Sequence, residues 1–107
     1  LDITVFEAAY LSQYPDLENV EDLDLRKNQL GDEGLEALLI SEKLGNLRKL
    51  DLRNNQITRK GMEILAASGK MENLQVLDMR SNRIGKVWEE KLKSTIKFPK
   101  LSSVKIV

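Results

Sequence analysis

The sequence predicts a single α/β solenoid, with short parallel strands along one side and helices along the other. Three leucines and three asparagines recur at the same 27-residue interval: Leu23, Leu50 and Leu77, and Asn28, Asn55 and Asn82. Self-similarity at a fixed period of this size indicates a repeat architecture. Within each period, a segment with alternating apolar and polar residues precedes a segment with helical spacing, so strands and helices should alternate along the chain.

The alternation predicts short strands around residues 23–25, 50–52 and 77–79. In each, two apolar residues flank an aspartate, so the apolar side chains point inward and the aspartate points outward. A strand, a crossover helix and the next strand give a parallel pair, and such connections are expected to be right-handed. The predicted fold is therefore a right-handed solenoid with the sheet on its concave side and the helices on its convex side.

The repeated unit reads L-x-x-L-x-L-x-x-N-x-L, with Val, Ile or Met in place of some leucines. It occurs three times in register, at residues 20–30, 47–57 and 74–84. This pattern resembles the leucine-rich repeat family over nearly the whole chain. A glycine closes the longer pattern at residues 34 and 61, and the helices are expected to span about ten to twelve residues. In both respects the repeats resemble the ribonuclease-inhibitor-like subclass.

The resemblance implies a leucine-rich-repeat solenoid whose asparagines form a stacked ladder. An asparagine amide has both donors and an acceptor, so each can satisfy backbone groups of its own and the adjacent repeat. The asparagines are therefore architectural. The resemblance also implies a non-catalytic module that recognises a protein or peptide across the concave strand face. The alternative is a structural or regulatory segment of a larger protein.

The repeats predict one domain over residues 1–107. Repeat 1 spans residues 20–46, repeat 2 spans 47–73, repeat 3 spans 74–100, and a final strand lies within 101–107. Residues 1–19 are expected to be an N-terminal helical cap or partial repeat, in which Phe6 and Tyr10 share one helix face and Asp2 is a candidate helix cap. The sequence leaves open whether this segment caps the solenoid or continues a longer repeat array.

Repeat 3 departs from the pattern in its helical half. Trp88 stands in the column where the first two repeats have glycine, and the apolar set becomes Val87, Trp88, Leu92 and Ile96. Terminal repeats are often atypical because one side faces water, so Trp88 is expected to pack over the last helix. The alternative is that Trp88 is an exposed aromatic contact for a partner.

Candidate partner-binding residues are the side chains that project outward between the inward leucines. Strand by strand, they are Asp22, Asp24 and Arg26; Lys49, Asp51 and Arg53; and Val76, Asp78 and Arg80. Because neighbouring strands lie about 4.8 Å apart, we expect an aspartate row and an arginine row that neutralise each other through lateral and diagonal pairs. Arginine also suits carboxylate recognition, which makes an acidic group a candidate guest. The first column changes from strand to strand and is the better candidate for specificity.

The charges are balanced overall but separated along the chain. Residues 1–53 carry 12 acidic and 6 basic residues, a net −6, whereas residues 54–107 carry 5 acidic and 11 basic residues, a net +6. This asymmetry suggests self-association through the two halves or steering of a partner. A weaker alternative is nucleic-acid binding, since basic residues contact phosphates and aromatic residues stack on bases. The residues concerned are Lys86, Lys91, Lys93, Lys97 and Lys100, with Trp88 and Phe98 nearby.

The composition argues against several other classes of protein. The chain has no cysteine and no histidine, and its Ser, Thr and Lys residues have no candidate base at a useful spacing. We therefore expect no enzymatic activity, no cofactor and no metal site. No apolar run approaches the roughly 20 residues of a membrane helix, so no membrane partner is expected. The lack of cysteine and of a signal-peptide pattern favours the cytoplasm, although secretion as a cysteine-free protein stays open.

Overall fold

The computed structural model describes residues 4–107, with only the backbone at Val5. The candidate helix cap Asp2 lies outside the described residues. The first helix, α1 (Val5–Ser12), is followed by a short 3₁₀ turn at Pro15–Asn19. Strands and helices then alternate in the order β1 (Asp22–Asp24), α2 (Gly31–Leu39), β2 (Lys49–Asp51), α3 (Arg59–Ala67), β3 (Val76–Asp78), α4 (Trp88–Lys93) and β4 (Ser103–Lys105).

The strands form one parallel sheet in the order β1-β2-β3-β4. The pairing keeps the 27-residue period, since Leu23 pairs with Leu50, Leu50 with Leu77, and Leu77 with Val104. Each strand therefore lies beside the next strand in the sequence, and a helical segment separates β1 from β2, β2 from β3 and β3 from β4. This confirms the predicted α/β solenoid with a parallel sheet, including a fourth strand after repeat 3.

The core consists of apolar columns that repeat from strand to strand. Within repeats 2 and 3, six strand-side residues are almost fully buried: Leu47, Leu50, Leu52, Leu74, Leu77 and Met79. Removing one leucine side chain from water contributes about 1.5–3 kcal/mol to stability. Because every repeat presents the same columns to its neighbour, the core is continuous along the solenoid and needs no central cluster.

The chain leaves each strand through a left-handed residue that immediately precedes the ladder asparagine. Lys27, Asn54 and Ser81 occupy this column and have φ angles between 55° and 61°. The α2 and α3 helices then span nine residues each and α4 spans six, which is shorter than the expected ten to twelve. Helix length therefore does not support the resemblance to the ribonuclease-inhibitor-like subclass, which rests on the sequence motif alone.

Glycine at position 61 permits close packing between consecutive helices. A Cβ atom there would meet the carboxylate of Asp32 in α2 and would come within 2.7 Å of the Ile57 Cγ2 atom. In repeat 3 the same column holds Trp88, and α4 contacts β4 more than it contacts α3. Trp88 thus stands at the position equivalent to Gly61, the glycine that allows α2 and α3 to pack closely.

Burial in and around α4 confirms part of the expected apolar set and corrects the rest. Trp88 is only 6% exposed and Leu92 is fully buried, whereas Val87 is half exposed and Ile96 is 90% exposed. Ile96 lies outward because α4 ends at Lys93. The alternative of an exposed aromatic contact at Trp88 is wrong, since its ring is packed in the core.

The first helix, α1, lies beside α2 and continues the row of helices toward the N-terminus. It buries Ala8 and Ser12, while Phe6 and Tyr10 are more than four-fifths exposed. The helix predicted in this segment is therefore present, and its aromatic residues face away from the core. None of the helices within residues 4–107 has the length and apolar character needed to span a membrane.

Candidate binding face

Strand pairing gathers the predicted partner-binding residues on one side of the sheet, which we call the concave face. Asp22 lies beside Lys49, and Lys49 lies beside Val76. The aspartates form the next column: Asp24, Asp51 and Asp78. Arg26, Arg53 and Arg80 follow just beyond the strand ends. The nine predicted residues therefore lie in three columns that cross the first three strands.

Each arginine binds the aspartate two positions before it. In repeat 2 the Arg53 Nε donates to Asp51 Oδ1 at 3.0 Å, and its Nη2 donates to Asp51 Oδ2 at 2.8 Å. The backbone N–H of Arg53 also donates to Asp51 Oδ1, at 3.2 Å. Arg26 with Asp24 repeats this arrangement, as does Arg80 with its own aspartate. This two-pronged geometry fixes the guanidinium plane as well as its charge.

The same arginines also reach the aspartate of the next strand. Arg26 Nε lies 3.6 Å from Asp51 Oδ2, and Arg53 Nε lies 3.4 Å from Asp78 Oδ2. The result is an alternating chain of charges that we call the ion-pair ladder: Asp24, Arg26, Asp51, Arg53, Asp78 and Arg80. These contacts confirm the predicted lateral and diagonal pairing.

The ladder favours the charged forms of Asp24, Asp78 and Arg53, because their pKa values are shifted in that direction. The side-chain and backbone hydrogen bonds from Arg26 lower the pKa of Asp24. For Asp78, burial acts to raise the pKa, but the hydrogen bonds from Arg80 and the charges of Arg80 and Arg53 together outweigh it, so the pKa is lowered. The hydrogen bond to Asp51 raises the pKa of Arg53 in turn. These groups are therefore charged at neutral pH.

Exposure separates the inner from the outer members of the ladder. The side chains of Asp51 and Asp78 are only 8% and 10% exposed, whereas that of Asp24 is 51% exposed. Although the sequence predicts that both inner aspartates project outward, their carboxylates are covered by the arginines that bind them. Any ligand on this face therefore meets the partly exposed guanidinium groups before it meets those two carboxylates.

The first column offers charges that the ladder does not use. The side chains of Asp22 and Lys49 are exposed, and neither forms an ion pair with another residue in the described part of the chain. Val76 is partly buried beside them. An open hollow of about 360 Å³ lies over this part of the face, lined by Asp22, Asp24, Arg26, Lys49, Asp51 and Arg53.

The ladder asparagines occupy the edge of the sheet where the strands end. Asn55 Nδ2 donates to the carbonyl of Leu25 at 2.7 Å in the preceding repeat and to that of Leu52 at 3.2 Å in its own. The Oδ1 of Asn82 accepts from the backbone N–H groups of Asn55 and Ile57. These bonds join adjacent repeats and confirm the predicted architectural role.

A second periodic set of side-chain bonds lies in the loops that enter the strands, and the sequence analysis missed it. Asn46 Nδ2 donates to the carbonyl of Glu18, and Asn73 Nδ2 donates to that of Gly45, both at 2.6 Å. In repeat 3 the column holds Lys100, whose Nζ donates to Asn73 Oδ1 at 2.6 Å. The recurrence of asparagine at 46 and 73, again 27 residues apart, is the signal that could have revealed it.

The other chemistries considered from the sequence find little support in this geometry. The described residues hold no cluster of side chains suited to a metal ion. Near the basic C-terminal cluster, Trp88 and Phe98 are buried and cannot stack on bases. Lys91 Nζ lies 4.7 Å from the centre of the Trp88 ring, and Lys100 is engaged with Asn73.

A parallel sheet built from identical strand registers, with asparagine ladders joining the repeats, defines a solenoid repeat protein. Residues 45–94 match the model of two leucine-rich repeat copies, and residues 17–39 match a further leucine-rich repeat. The chain belongs to the leucine-rich repeat family, as the sequence motif indicated. Leucine-rich repeats generally serve as protein-interaction modules. No match was found among curated proteins.

Proposed function

We propose that this protein recognises a protein or peptide partner across the concave face without catalysing a reaction. We also propose that residues 1–107 act as one domain, comprising the N-terminal segment at 1–19, the repeats at 20–46, 47–73 and 74–100, and the strand at 101–107. The observation that carries the proposal is the ion-pair ladder, which holds charged side chains in fixed positions on an accessible sheet face.

A preorganised face lowers the entropic cost of binding, because its side chains are already ordered. An unconstrained arginine loses side-chain freedom when it binds, at a cost of roughly 0.5–1.5 kcal/mol. Arg53 is already held by Asp51 and Asp78. Its remaining donors can therefore meet a ligand with little further ordering, which favours binding through this row.

Specificity is proposed to come from the first column of the face. Asp22, Lys49 and Val76 lie side by side in the strand register, and they differ in charge and polarity. The two charged members are free of the ladder, so a ligand group can approach them without breaking an internal ion pair. A partner would accordingly present a basic group to Asp22 and an acidic group to Lys49.

The test compares partner capture by single-site charge reversals. Lys49→Glu reverses an exposed charge on the concave face, while Lys60→Glu makes the same change at an exposed position of helix α3. Proteins captured by the immobilised wild type should be retained by Lys60→Glu and lost by Lys49→Glu. Lys49 is preferred to Arg53 because reversal of Arg53 would leave Asp51 and Asp78 facing a like charge.

Equal capture by both variants would favour the alternative, in which the chain is a structural or regulatory segment of a larger protein.

Self-association through the acidic and basic halves is a further proposal. It predicts a species larger than the monomer in sedimentation velocity that dissociates as salt is raised, because surface charge attraction is screened. The cysteine-free composition is the reason for placing the proposed interaction in the cytoplasm.

A further inference from the structure

The ion-pair ladder changes character at its C-terminal end. Arg26 and Arg53 each contact two aspartates, one in their own repeat and one in the next strand. Arg80, within residues 4–107, contacts the carboxylate of Asp78 alone. The next strand pairs Lys105 with Asp78, so the aspartate column ends in a lysine.

This ending leaves an excess of positive charge over β3 and β4. The side chain of Arg80 is 39% exposed, and that of Asp78 is covered. Lys105 is exposed and forms no ion pair with any residue that the structure describes. Arg80 therefore shares the shielded carboxylate of Asp78 with Arg53, and Lys105 adds a further positive charge that no carboxylate of the ladder pairs with.

We propose that Arg80 and Lys105 form a subsite for the side-chain carboxylate of an acidic residue in the partner. This inference rests on the proposed function, since it places one ligand group on the concave face. In the first two repeats the arginine Nε lies 3.6 Å and 3.4 Å from an aspartate of the next strand. A ligand carboxylate over β4 would take the equivalent position beside Arg80, and Lys105 would contact it from the other side.

The opposite end of the ladder gives the bound segment a direction. Within residues 4–107, Asp24 contacts a single arginine and is half exposed, and Asp22 on the same strand forms no ion pair. Three strand spacings of about 4.8 Å separate β1 from β4, which is roughly 14 Å, or about four residues of extended peptide. The ligand class is therefore a peptide segment with a basic residue over β1 and an acidic residue about four positions away over β4.

The probe is a blocked peptide of this design, acetyl-Lys-Ser-Ser-Ser-Glu-amide, titrated into the isotopically labelled protein and followed by NMR. Backbone amide signals of residues 80 and 105 should shift. The same peptide with Gln in place of Glu should bind roughly tenfold more weakly, since a charge-assisted hydrogen bond is lost. A third peptide has no Glu but a free C-terminal carboxylate, and it should bind like the Gln peptide.

Lys105→Asp is the decisive variant because it extends the aspartate column by one strand. The new carboxylate would occupy Arg80, so the Glu peptide should bind at least roughly tenfold more weakly, while the melting temperature stays the same or rises. Lys86→Asp makes the identical charge change at an exposed position away from the sheet and should retain wild-type affinity.

Several outcomes would overturn the subsite. These are no binding of the Glu peptide by the wild type, equal binding of the Gln or free-C-terminus peptide, and equal losses in Lys105→Asp and Lys86→Asp. Failure of the proposed function can be distinguished from failure of the subsite. If Lys49→Glu loses its captured proteins but Lys105→Asp keeps full peptide affinity, the concave face binds and the subsite is wrong. If neither variant changes binding, both proposals are wrong.

Discussion

The carboxylate of Asp32 accepts two hydrogen bonds from Thr58, one from the backbone N–H at 2.8 Å and one from the hydroxyl group at 2.5 Å. Asp32 lies in the first turn of α2, and Thr58 is the N-cap of α3. Thr58 Oγ1 also accepts from the N–H of Lys60. This pair ties the starts of consecutive helices together and sets how closely they pack.

Gly61→Ala should destabilise the protein by about 1–3 kcal/mol, because the added methyl group overpacks the contact with Asp32 and Ile57. The sign is informative, since alanine at an unconstrained helix position would stabilise by roughly 0.5–1 kcal/mol. Urea unfolding measures the change. Gly45→Ala, where a Cβ atom would meet nothing within 4 Å, is the control. A stabilised Gly61→Ala would show that the helices have room to spare.

Asn55→Ala should lower the free energy of unfolding by about 1–3 kcal/mol, since it leaves buried backbone groups of two repeats unpaired. The groups include the carbonyls of Leu25 and Leu52. Chemical denaturation provides the measurement. Gln29→Ala, at an exposed position of the preceding repeat, should change stability little. Equal stability of the two variants would contradict the structural role of the asparagine ladder.

Asp51→Ala should destabilise the fold more than Asp24→Ala. Asp51 is nearly buried and binds two arginines, so its loss leaves Arg26 and Arg53 without a shared anion and should cost about 1.5–3 kcal/mol. Asp24 is half exposed and binds one arginine, a contact that water and salt weaken. Denaturant midpoints of the two variants give the comparison, and a larger effect at Asp24 would contradict the inner-versus-outer distinction.

Stability should fall as the pH drops below about 3.8, the ordinary pKa of an aspartate. The pKa values of Asp24 and Asp78 are lowered in the folded state, so over this range the unfolded chain binds more protons than the folded one. The contribution is fully present above that pH and is lost as the pH falls through the folded-state values. Thermal melts across this range should show the loss, and Asp78→Asn should flatten it. An unchanged slope in that variant would contradict the assignment.

Trp88→Phe should cost less than about 1.5 kcal/mol, whereas Trp88→Ala should cost about 3–5 kcal/mol. Within the described structure the buried Trp88 Nε1 has no hydrogen-bond partner, so phenylalanine keeps most of the apolar contact and removes an unsatisfied donor. The protein has a single tryptophan, so its fluorescence reports on this site directly. Emission at the wavelength of a solvated indole in the native state would contradict the burial.

The fold could be predicted because each repeat uses its neighbours in the same way. A 27-residue spacing of Leu50 and Leu77 places both in one column only if the strands pair in that register, as they do. The asparagine ladder and the pairing of Arg53 with two aspartates follow from the same periodicity. Contacts that recur with the repeat are therefore visible in a single sequence.

The features that the sequence did not predict are those where periodicity gives no information. The burial of Asp51 and Asp78 depends on how the arginines fold over them, which residue type alone does not determine. Apolar spacing grouped Ile96 with the buried residues of α4, but Ile96 lies beyond the end of that helix and is exposed. A regular repeat defines two packed sides for an inner helix, but α4 carries tryptophan where that packing requires glycine.

The two asparagine sets have a mechanical consequence. Asn55 joins repeats 1 and 2 just beyond the end of β2, and Asn73 joins the same two repeats through the carbonyl of Gly45, just before the start of β3. Bending the solenoid in either direction would therefore stretch hydrogen bonds at one edge of the sheet or the other. The sheet should behave as a stiff plate whose curvature stays nearly constant, so a flexible partner would have to adjust its own shape to that curvature.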